Sequence, residues 1–542
     1  MLEGFTPWPQ EFAERYRAQG FWSGETLGSV LRRAADRYGD RTALVHDDRR
    51  IGYRDLDAWA DRLAALFQRH GVRPEDRVLV QLPNVPEFVA ITFALLRIGA
   101  KPVFCLVAHR ETEVGHLVRL SGATHYVLPD THREFSHRDM AERIRAAHDQ
   151  LRTLFLVGGR ADGFVSIEDA DQEPYQAQLP DTDPTDVAFF LLSGGTTALP
   201  KLIPRTHDDY VYQSLRAAEV CELNDRDVYL AALPIEFNFA WGCPGVIGTF
   251  HTGGTVVLAD TPNPMDCFPL IERERVTVTA LVPSLVAVWL EVAEWASWNL
   301  SSLRLLQVGG ARMTREFTAS IGPTLGCELQ QVFGMAEGLL CFSRPDDPAE
   351  SVLTTQGKPI SDADEIVIAD TDGTALAPGE VGELLTRGPY TLRGYYAAPE
   401  HNRVAFTADG FYRTGDLARL TPDGDLVIEG RIKDMIIRGG DKVNAGEVEE
   451  HLLGCAGVRS VAVVGVPDPF LGERTCAFVV PTAAAPNPAE LKQAMHARGV
   501  AAYKIPDDIE IVVELPLTPL GKVDKKALVR TRAAASTTGV PS

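Results

Sequence analysis

The chain carries few of the signals that place a protein in a membrane, on nucleic acid or among disulfide-rich scaffolds. Its 542 residues include only eight cysteines, at 105, 221, 243, 267, 327, 341, 455 and 476, and no two of them form a CxxC pair. That scatter excludes a disulfide framework or a zinc cluster as the organising element and leaves reduced, mostly buried thiols as the expectation. Long hydrophobic runs are also missing. The longest, VPEFVAITFALLRIGA, is interrupted by Pro86, Glu87 and Arg97, whereas a membrane helix needs about 20 predominantly apolar residues. The first residues, MLEGFTPWPQEF, lack a basic start, an apolar stretch and a small-residue cleavage site, so no secretory signal is visible and a cytoplasmic protein without membrane contact is expected. Positive charge is in deficit: 53 Lys and Arg stand against 74 Asp and Glu, for a net charge of -21. Nucleic acid is bound by basic side chains that neutralise its phosphates, so it is excluded as a partner and any phosphate must be held locally. Neither the Walker pattern GxxxxGK followed by Ser or Thr nor a strand-borne GxGxxG occurs, which removes the P-loop and Rossmann ways of doing so. Internal repeats are absent.

What remains is an ordinary globular composition, 45% hydrophobic and 23% charged. The length suggests two unequal domains. From about Glu25 to Leu340 a helical pattern alternates with short apolar runs such as RVLVQLP, KPVFCLV, DVAFFLLS, DVYLAALP, GTVVLAD, VTVTALVP and LRLLQVGG. Each later run ends in Pro, Gly, Ser or Asp, the pattern of parallel sheet with crossover helices, whose ligand loops lie at the carboxyl ends of the strands. Between Asp364 and Gly430 the rhythm shortens to alternating strands broken by Asp-Gly pairs at Asp372, Asp409 and Asp423, which predict a small antiparallel barrel or sheet. After GRIKD (430–434) an α+β pattern runs for about 100 residues, a separate small domain. The expected division is an N-terminal core over 1–433 with a β-rich part at about 350–430, a mobile C-terminal domain over 434–530, and a fraying tail over 531–542.

The strand DVAFFLLS runs into SGGTTALPK (193–201). Its glycines let backbone N–H groups approach phosphate, and its hydroxyls and lysine add donors and positive charge, so the segment has the form of a phosphate cradle. This stretch resembles the phosphate-binding motif of the adenylate-forming superfamily, which includes acyl-CoA synthetases, luciferases and the adenylation domains of nonribosomal peptide synthesis. Five further segments resemble that family in the same order: QVFGMAEG (331–338), GELLTRGP (382–389), YRTGD (412–416), GRIKDMIIRGGDKVNAGEVE (430–449) and PLTPLGKVDKKAL (516–528).

The resemblance implies an α/β enzyme that joins a carboxylic acid to AMP at the expense of ATP and then passes the acyl group to a thiol. It assigns Ser193, Gly194, Gly195, Thr196, Thr197 and Lys201 to the ATP phosphates, and Glu337 to Mg²⁺, for which a hard oxygen ligand is suited. Phe333 is similar to the ring that stacks on adenine, Gly309, Gly310, Ala311, Gly334 and Met335 border the nucleotide, and Asp416 with Arg431 holds the ribose. Lys522 is similar to the lysine that supplies positive charge as the acid attacks the α-phosphorus, where two anions meet. Lys433 stands at the family's hinge, and Arg438, Gly439 and Gly440 form the loop that faces the site after the C-terminal domain rotates for thiol transfer.

Longer stretches, FPLIERERVTVTALVPSLVAVW, TRGPYTLRGYY, DGFYRTGD and AAYKIPD among them, resemble the stand-alone ligases that activate 2,3-dihydroxybenzoate or salicylate. That likeness puts Phe237, Asn238, Phe239, Cys243, Val308, Val332 and Leu340 around the acid. Asn238 matches the residue that hydrogen-bonds an ortho hydroxyl. Cys243 stands where Ser favours a second hydroxyl, and a thiol is the weaker hydrogen-bond partner, which favours a salicylate-like ring. Phe237 in place of the usual His, and Trp241 with Gly242, alter the pocket wall and leave 3-hydroxypicolinate or 3-hydroxyquinaldate open. The expected acceptor is the phosphopantetheine of a separate aryl carrier protein, with free coenzyme A as the alternative. A non-catalytic scaffold that retains the pocket is the reading of a different class.

Overall fold

Short runs of Val, Leu, Ile and Phe bounded by turn residues build strands buried on both faces, as parallel sheets covered by helices require. The computed structural model describes residues 2–172, 176–193, 200–438, 441–468, 471–482, 486–498, 500, 502–518 and 521–537. Val278–Leu281, Leu305–Gly309, His125–Pro129 and Lys101–Phe104 are buried at every position. Two large sheets result. One has nine strands in the order 358–359, 338–342, 328–335, 305–309, 278–281, 228–231, 255–258, 42–46, 49–52. The other has seven, in the order 202–206, 187–192, 101–104, 77–80, 125–129, 153–157, 165–166. Their interiors are parallel, antiparallel pairs such as 328–335 with 338–342 and 187–192 with 202–206 lie toward their ends, and 165–166 ends the seven-stranded sheet in parallel with 153–157. The interrupted apolar run forms the helix Pro86–Arg97, whose rings Phe88 and Phe93 contribute to the largest core cluster. Among the described residues no helix is long and apolar enough to cross a membrane.

The β-rich part is an open four-stranded antiparallel sheet, Glu365–Ala369, Gly382–Arg387, Tyr412–Leu420 and Leu426–Arg431. Two of the Asp-Gly pairs close its turns: Gly373 and Gly424 have φ of 84° and 86°, a backbone state that glycine reaches without a Cβ clash. The last sheet is built from Met435–Arg438, Asp441–Asn444, Val458–Asp468, Gly472–Pro481 and Asp508–Ile511 and carries the helices Ala445–Leu453, Pro488–Ala497 and Lys525–Thr537. Of the expected tail over 531–542, residues 531–537 are helical and 538–542 lie outside the described residues. The final helix continues to Thr537, and Arg532 anchors it on Asp508 Oδ2 at 2.9 Å and Glu510 Oε1 at 2.8 Å. All eight cysteines are buried and unbridged.

Among the described residues, side-chain contacts that join the 435–537 segment to the rest include the following three. Ser284 Oγ donates to the Gly521 carbonyl at 3.1 Å, Arg312 Nη2 lies 3.5 Å from Glu450 Oε2, and Asn444 Nδ2 donates to the Glu429 carbonyl at 2.9 Å. The first of them holds Gly521, beside Lys522, against the N-terminus of the helix Pro283–Ala293.

Candidate active site

The strand Val187–Leu192 delivers Ser193 to the carboxyl edge of its sheet, and the neck of the loop is closed there. Ser193 N–H donates to the Lys201 carbonyl and Lys201 N–H donates to Ser193 Oγ, both at 3.0 Å. Gly194, Gly195, Thr196 and Thr197 lie outside the described residues. Lys201 Nζ sits 5.1 Å from the centre of the Tyr395 ring. Tyr395 Oη donates to Glu337 Oε1 at 2.7 Å and lies 2.9 Å from Tyr412 Oη. Burial raises the pKa of Glu337, against the Tyr395 hydrogen bond and the Arg431 and Lys201 cations. A buried carboxylate with one oxygen fixed by a phenol is a hard oxygen donor of the kind that suits Mg²⁺.

Asp416 is held by the four-stranded antiparallel sheet. The antiparallel register places it opposite Arg431, whose Nε is 2.7 Å from Oδ1. Burial raises the Asp416 pKa, while Arg431 and then Lys522 lower it. Gly309 and Gly310 end the central strand Leu305–Gly309. A Cβ on Gly309 would sit 2.6 Å from the Val332 carbonyl, and one on Gly310 would sit 3.9 Å from Lys522 Nζ. The chain therefore carries Lys522 over the glycine edge at the end of this strand. As a residue Lys522 keeps much of its surface exposed, yet dense surroundings and the Arg431 cation draw its pKa down, with Asp416 opposing. The Thr518 hydroxyl accepts from Lys522 N–H at 3.2 Å and fixes the turn. Ala311 is exposed beside Gly310, Phe333 packs on the cluster of Leu339 and Cys341, and Lys433 lies in the exposed turn Ile432–Asp434.

Asn238 opens the short helix Asn238–Gly242 and is buried but not sealed, with 8% of its surface exposed. Its Oδ1 accepts from Tyr210 Oη at 2.9 Å and Gln213 Nε2 at 3.0 Å, and its Nδ2 donates to the Met335 carbonyl at 3.3 Å. Cys243 Sγ lies 3.6 Å from Gln213 Nε2, and burial raises its pKa. Phe239 lies against Gly309, Leu340 against Gly334, and Phe237 is half-buried. Val332 packs in the same core cluster as Cys243 and Leu340.

Two further expected positions have defined packing. Val308 packs with Leu306, Trp289 and Met313 on the opposite face of its strand, because strand side chains alternate and Gly309 is the residue that faces Phe239. Trp241 packs in the core, its ring centre 5.6 Å from those of Phe88 and Phe104, in the same cluster as Cys243 and Val332.

Arg438 is engaged elsewhere: its Nε and Nη2 grip the Asp507 carboxylate at 2.8 and 2.6 Å. Gly439 and Gly440 lie outside the described residues. Sequence reading gave no role to Tyr395, Arg205 or Gln213. Tyr395 stood inside the quoted stretch TRGPYTLRGYY, while the two buried polar residues on and beside the helix His207–Val220 left no signal beyond their polarity.

The residues 31–396 match the family model described as AMP-binding enzyme, and 447–522 match the AMP-binding enzyme C-terminal domain. The chain is 52% identical to a 2,3-dihydroxybenzoate-AMP ligase of Bacillus subtilis over 97% of both chains. It is 48% identical to a salicyl-AMP ligase / salicyl-S-ArCP synthetase of Mycobacterium tuberculosis, over 98% of this chain and 94% of the relative. Among solved structures, apo MbtA of Mycobacterium smegmatis superposes with a TM-score of 0.76 at 46% identity, over 97% of this chain and 98% of that one. The chain belongs to the AMP-binding enzyme family. Its chemistry is that of an ATP-dependent adenylate-forming ligase.

Proposed function

We propose that this ligase activates an ortho-hydroxylated aryl acid of the salicylate class and delivers it to the phosphopantetheine thiol of a separate aryl carrier protein. The position of Lys522 Nζ at the Gly310 edge, in one cleft with Asp416 and Glu337, carries the reading. In the first step an acid carboxylate oxygen bonds to the α-phosphorus of ATP and the bond to pyrophosphate breaks. The Lys522 ammonium offsets charge that builds on the phosphoryl oxygens, and it does so best in a site already closed to water. Asp416 accepts from the ribose hydroxyls. Glu337 and the Ser193–Lys201 loop hold the phosphate end, where Mg²⁺ neutralises phosphate charge when bound. In the second step the thiol sulfur bonds to the acyl carbon, AMP leaves, and the thiol proton passes to solvent.

That second step needs the Lys522 face withdrawn so that a thin pantetheine arm can enter. We assign the segment 434–530 as the unit that swings on Lys433 and brings Arg438, Gly439 and Gly440 to the site. Arg438 and Asp507 both belong to that segment, so their ion pair travels with it in this proposal. Asn238 supports the choice of acid, since its Nδ2 carries an N–H beyond the one given to Met335, and the names of the relatives point the same way.

The test is acid-dependent pyrophosphate release across salicylate, 2,3-dihydroxybenzoate, 3-hydroxypicolinate, 3-hydroxyquinaldate, benzoate and fatty acids, followed by transfer to holo aryl carrier protein or free coenzyme A. A hydroxyaryl winner with transfer to the carrier is expected. A response only to benzoate or aliphatic acids would remove the role of Asn238, and transfer to coenzyme A alone would remove the carrier.

A further inference from the structure

A side-chain amide carries a donor and an acceptor on one frame, and which of them faces a ligand decides what that ligand must present. The orientation follows from the hydrogen-bond network around the amide. Around Asn238 that network has fixed polarity, because both of its ends are groups with a single role.

Arg205 is fully buried and only donates. Its Nε donates to Asp209 Oδ1 at 3.0 Å, Nη1 to the Ala336 carbonyl at 3.0 Å, and Nη2 to Gln213 Oε1 at 2.8 Å. Gln213, itself fully buried, must therefore turn its oxygen to Arg205 and its Nε2 the other way. That Nε2 reaches two acceptors, the Gly242 carbonyl at 3.1 Å and Asn238 Oδ1 at 3.0 Å. A carbonyl can only accept, so Gly242 fixes the same orientation independently. Asn238 Oδ1 is then taken by Gln213 and Tyr210 together, and Nδ2 is left toward the Met335 carbonyl and the pocket.

We infer that Gln213 is a specificity-determining residue: anchored by Arg205, it locks the Asn238 amide so that the pocket presents an N–H donor, which selects acids with an ortho acceptor oxygen and disfavours acids with an ortho amino group. The inference rests on the reading of Asn238 as the residue that meets the ortho substituent. Gln213 is a positioning residue, since it acts through Asn238. The same chain reaches the peptide before Glu337, because Arg205 holds the Ala336 carbonyl and Asn238 the carbonyl of Met335. The acid pocket and the carboxylate at the phosphate end thus share one frame.

Replacing the Gln213 amide by a carboxylate should reverse the lock. In Gln213→Glu the ionised side chain still accepts from Arg205 but can no longer donate, so the Asn238 amide turns its Nδ2 to the new carboxylate and to Tyr210. Oδ1 then lies beside the Met335 carbonyl, and the two acceptors suit a ligand N–H. The experiment compares salicylate, 2-aminobenzoate and benzoate by kcat/KM in ATP–pyrophosphate exchange for the wild type, Gln213→Glu and Gln213→Met. The wild type should favour salicylate over 2-aminobenzoate, and Gln213→Glu should lower that ratio by about tenfold, carried in KM, the scale of one mispaired buried hydrogen bond. Gln213→Met keeps the volume and the charge while deleting the donor, and should lower the ratio by about threefold. If Gln213→Glu does not fold, the Met variant decides. A ratio unchanged to within about twofold in each variant that folds would overturn the role of Gln213. A wild type that uses benzoate as well as salicylate would instead overturn the reading of Asn238, and this inference with it.

Discussion

Asp416 and Arg431 face each other across the antiparallel register of the four-stranded sheet, with Nε 2.7 Å from Oδ1. In the proposed function this buried carboxylate meets the two ribose hydroxyls, and Arg431 opposes the burial that raises the pKa of Asp416. Arg431→Ala leaves that carboxylate with less compensation. The expected result is a rise of about tenfold in KM for ATP with the KM for the acid little changed. Equal ATP constants in variant and wild type would reduce Arg431 to a structural role.

Tyr395 links Lys201, Glu337 and Tyr412. Tyr395→Phe keeps the ring and deletes the hydrogen bond to Glu337, so the fold should persist while kcat for adenylation falls about tenfold and the Mg²⁺ needed for half-maximal rate rises. Titration of the rate with Mg²⁺ at saturating ATP checks it; an unchanged midpoint would separate Glu337 from the metal.

Cys243 lies in the pocket network through its 3.6 Å contact with Gln213 Nε2. Cys243→Ser offers a stronger hydrogen-bond partner and should raise the kcat/KM ratio of 2,3-dihydroxybenzoate to salicylate by about fivefold to tenfold. An unchanged ratio would remove Cys243 from recognition of the second hydroxyl.

Glu236 precedes the acid pocket and is fully enclosed, with no hydrogen-bond partner at Oε2. Burial pushes its pKa from the ordinary 4.5 up to about 8, so the folded protein keeps a proton that the unfolded chain releases. Its contribution to stability is fully present below pH 4.5 and is lost as pH rises to about 8, at about 1.4 kcal/mol per pH unit. Glu236→Gln should flatten this decline and raise the melting temperature at pH 8 relative to wild type. Parallel stability–pH curves would contradict it.

The alternation of apolar runs and helical segments made the two large sheets legible, and the Asp-Gly pairs marked the turns of the small one. Lys522, Asp416 and Glu337 stood out because each lies in a motif whose neighbours are close in sequence. The supporting residues did not. Tyr395 meets Glu337 across 58 residues and Arg205 meets Ala336 across 131, so their roles exist only once the sheets have brought distant edges together. The packing of Val308 and Trp241 was hidden for a related reason: a single strand or one short helix has two faces, and only tertiary packing decides which partners each one meets. The terminal helix was hidden by composition, since RTRAAAST reads as small and polar until Arg532 finds Asp508 and Glu510.

The most direct test of the account is exchange of labelled pyrophosphate into ATP, dependent on salicylate, by the wild type and by Lys522→Ala. Rapid exchange by the wild type is predicted, with a loss of about a hundredfold or more in the variant and salicylate binding retained. Absence of acid-dependent exchange in the wild type, or equal exchange in the two proteins, would contradict it.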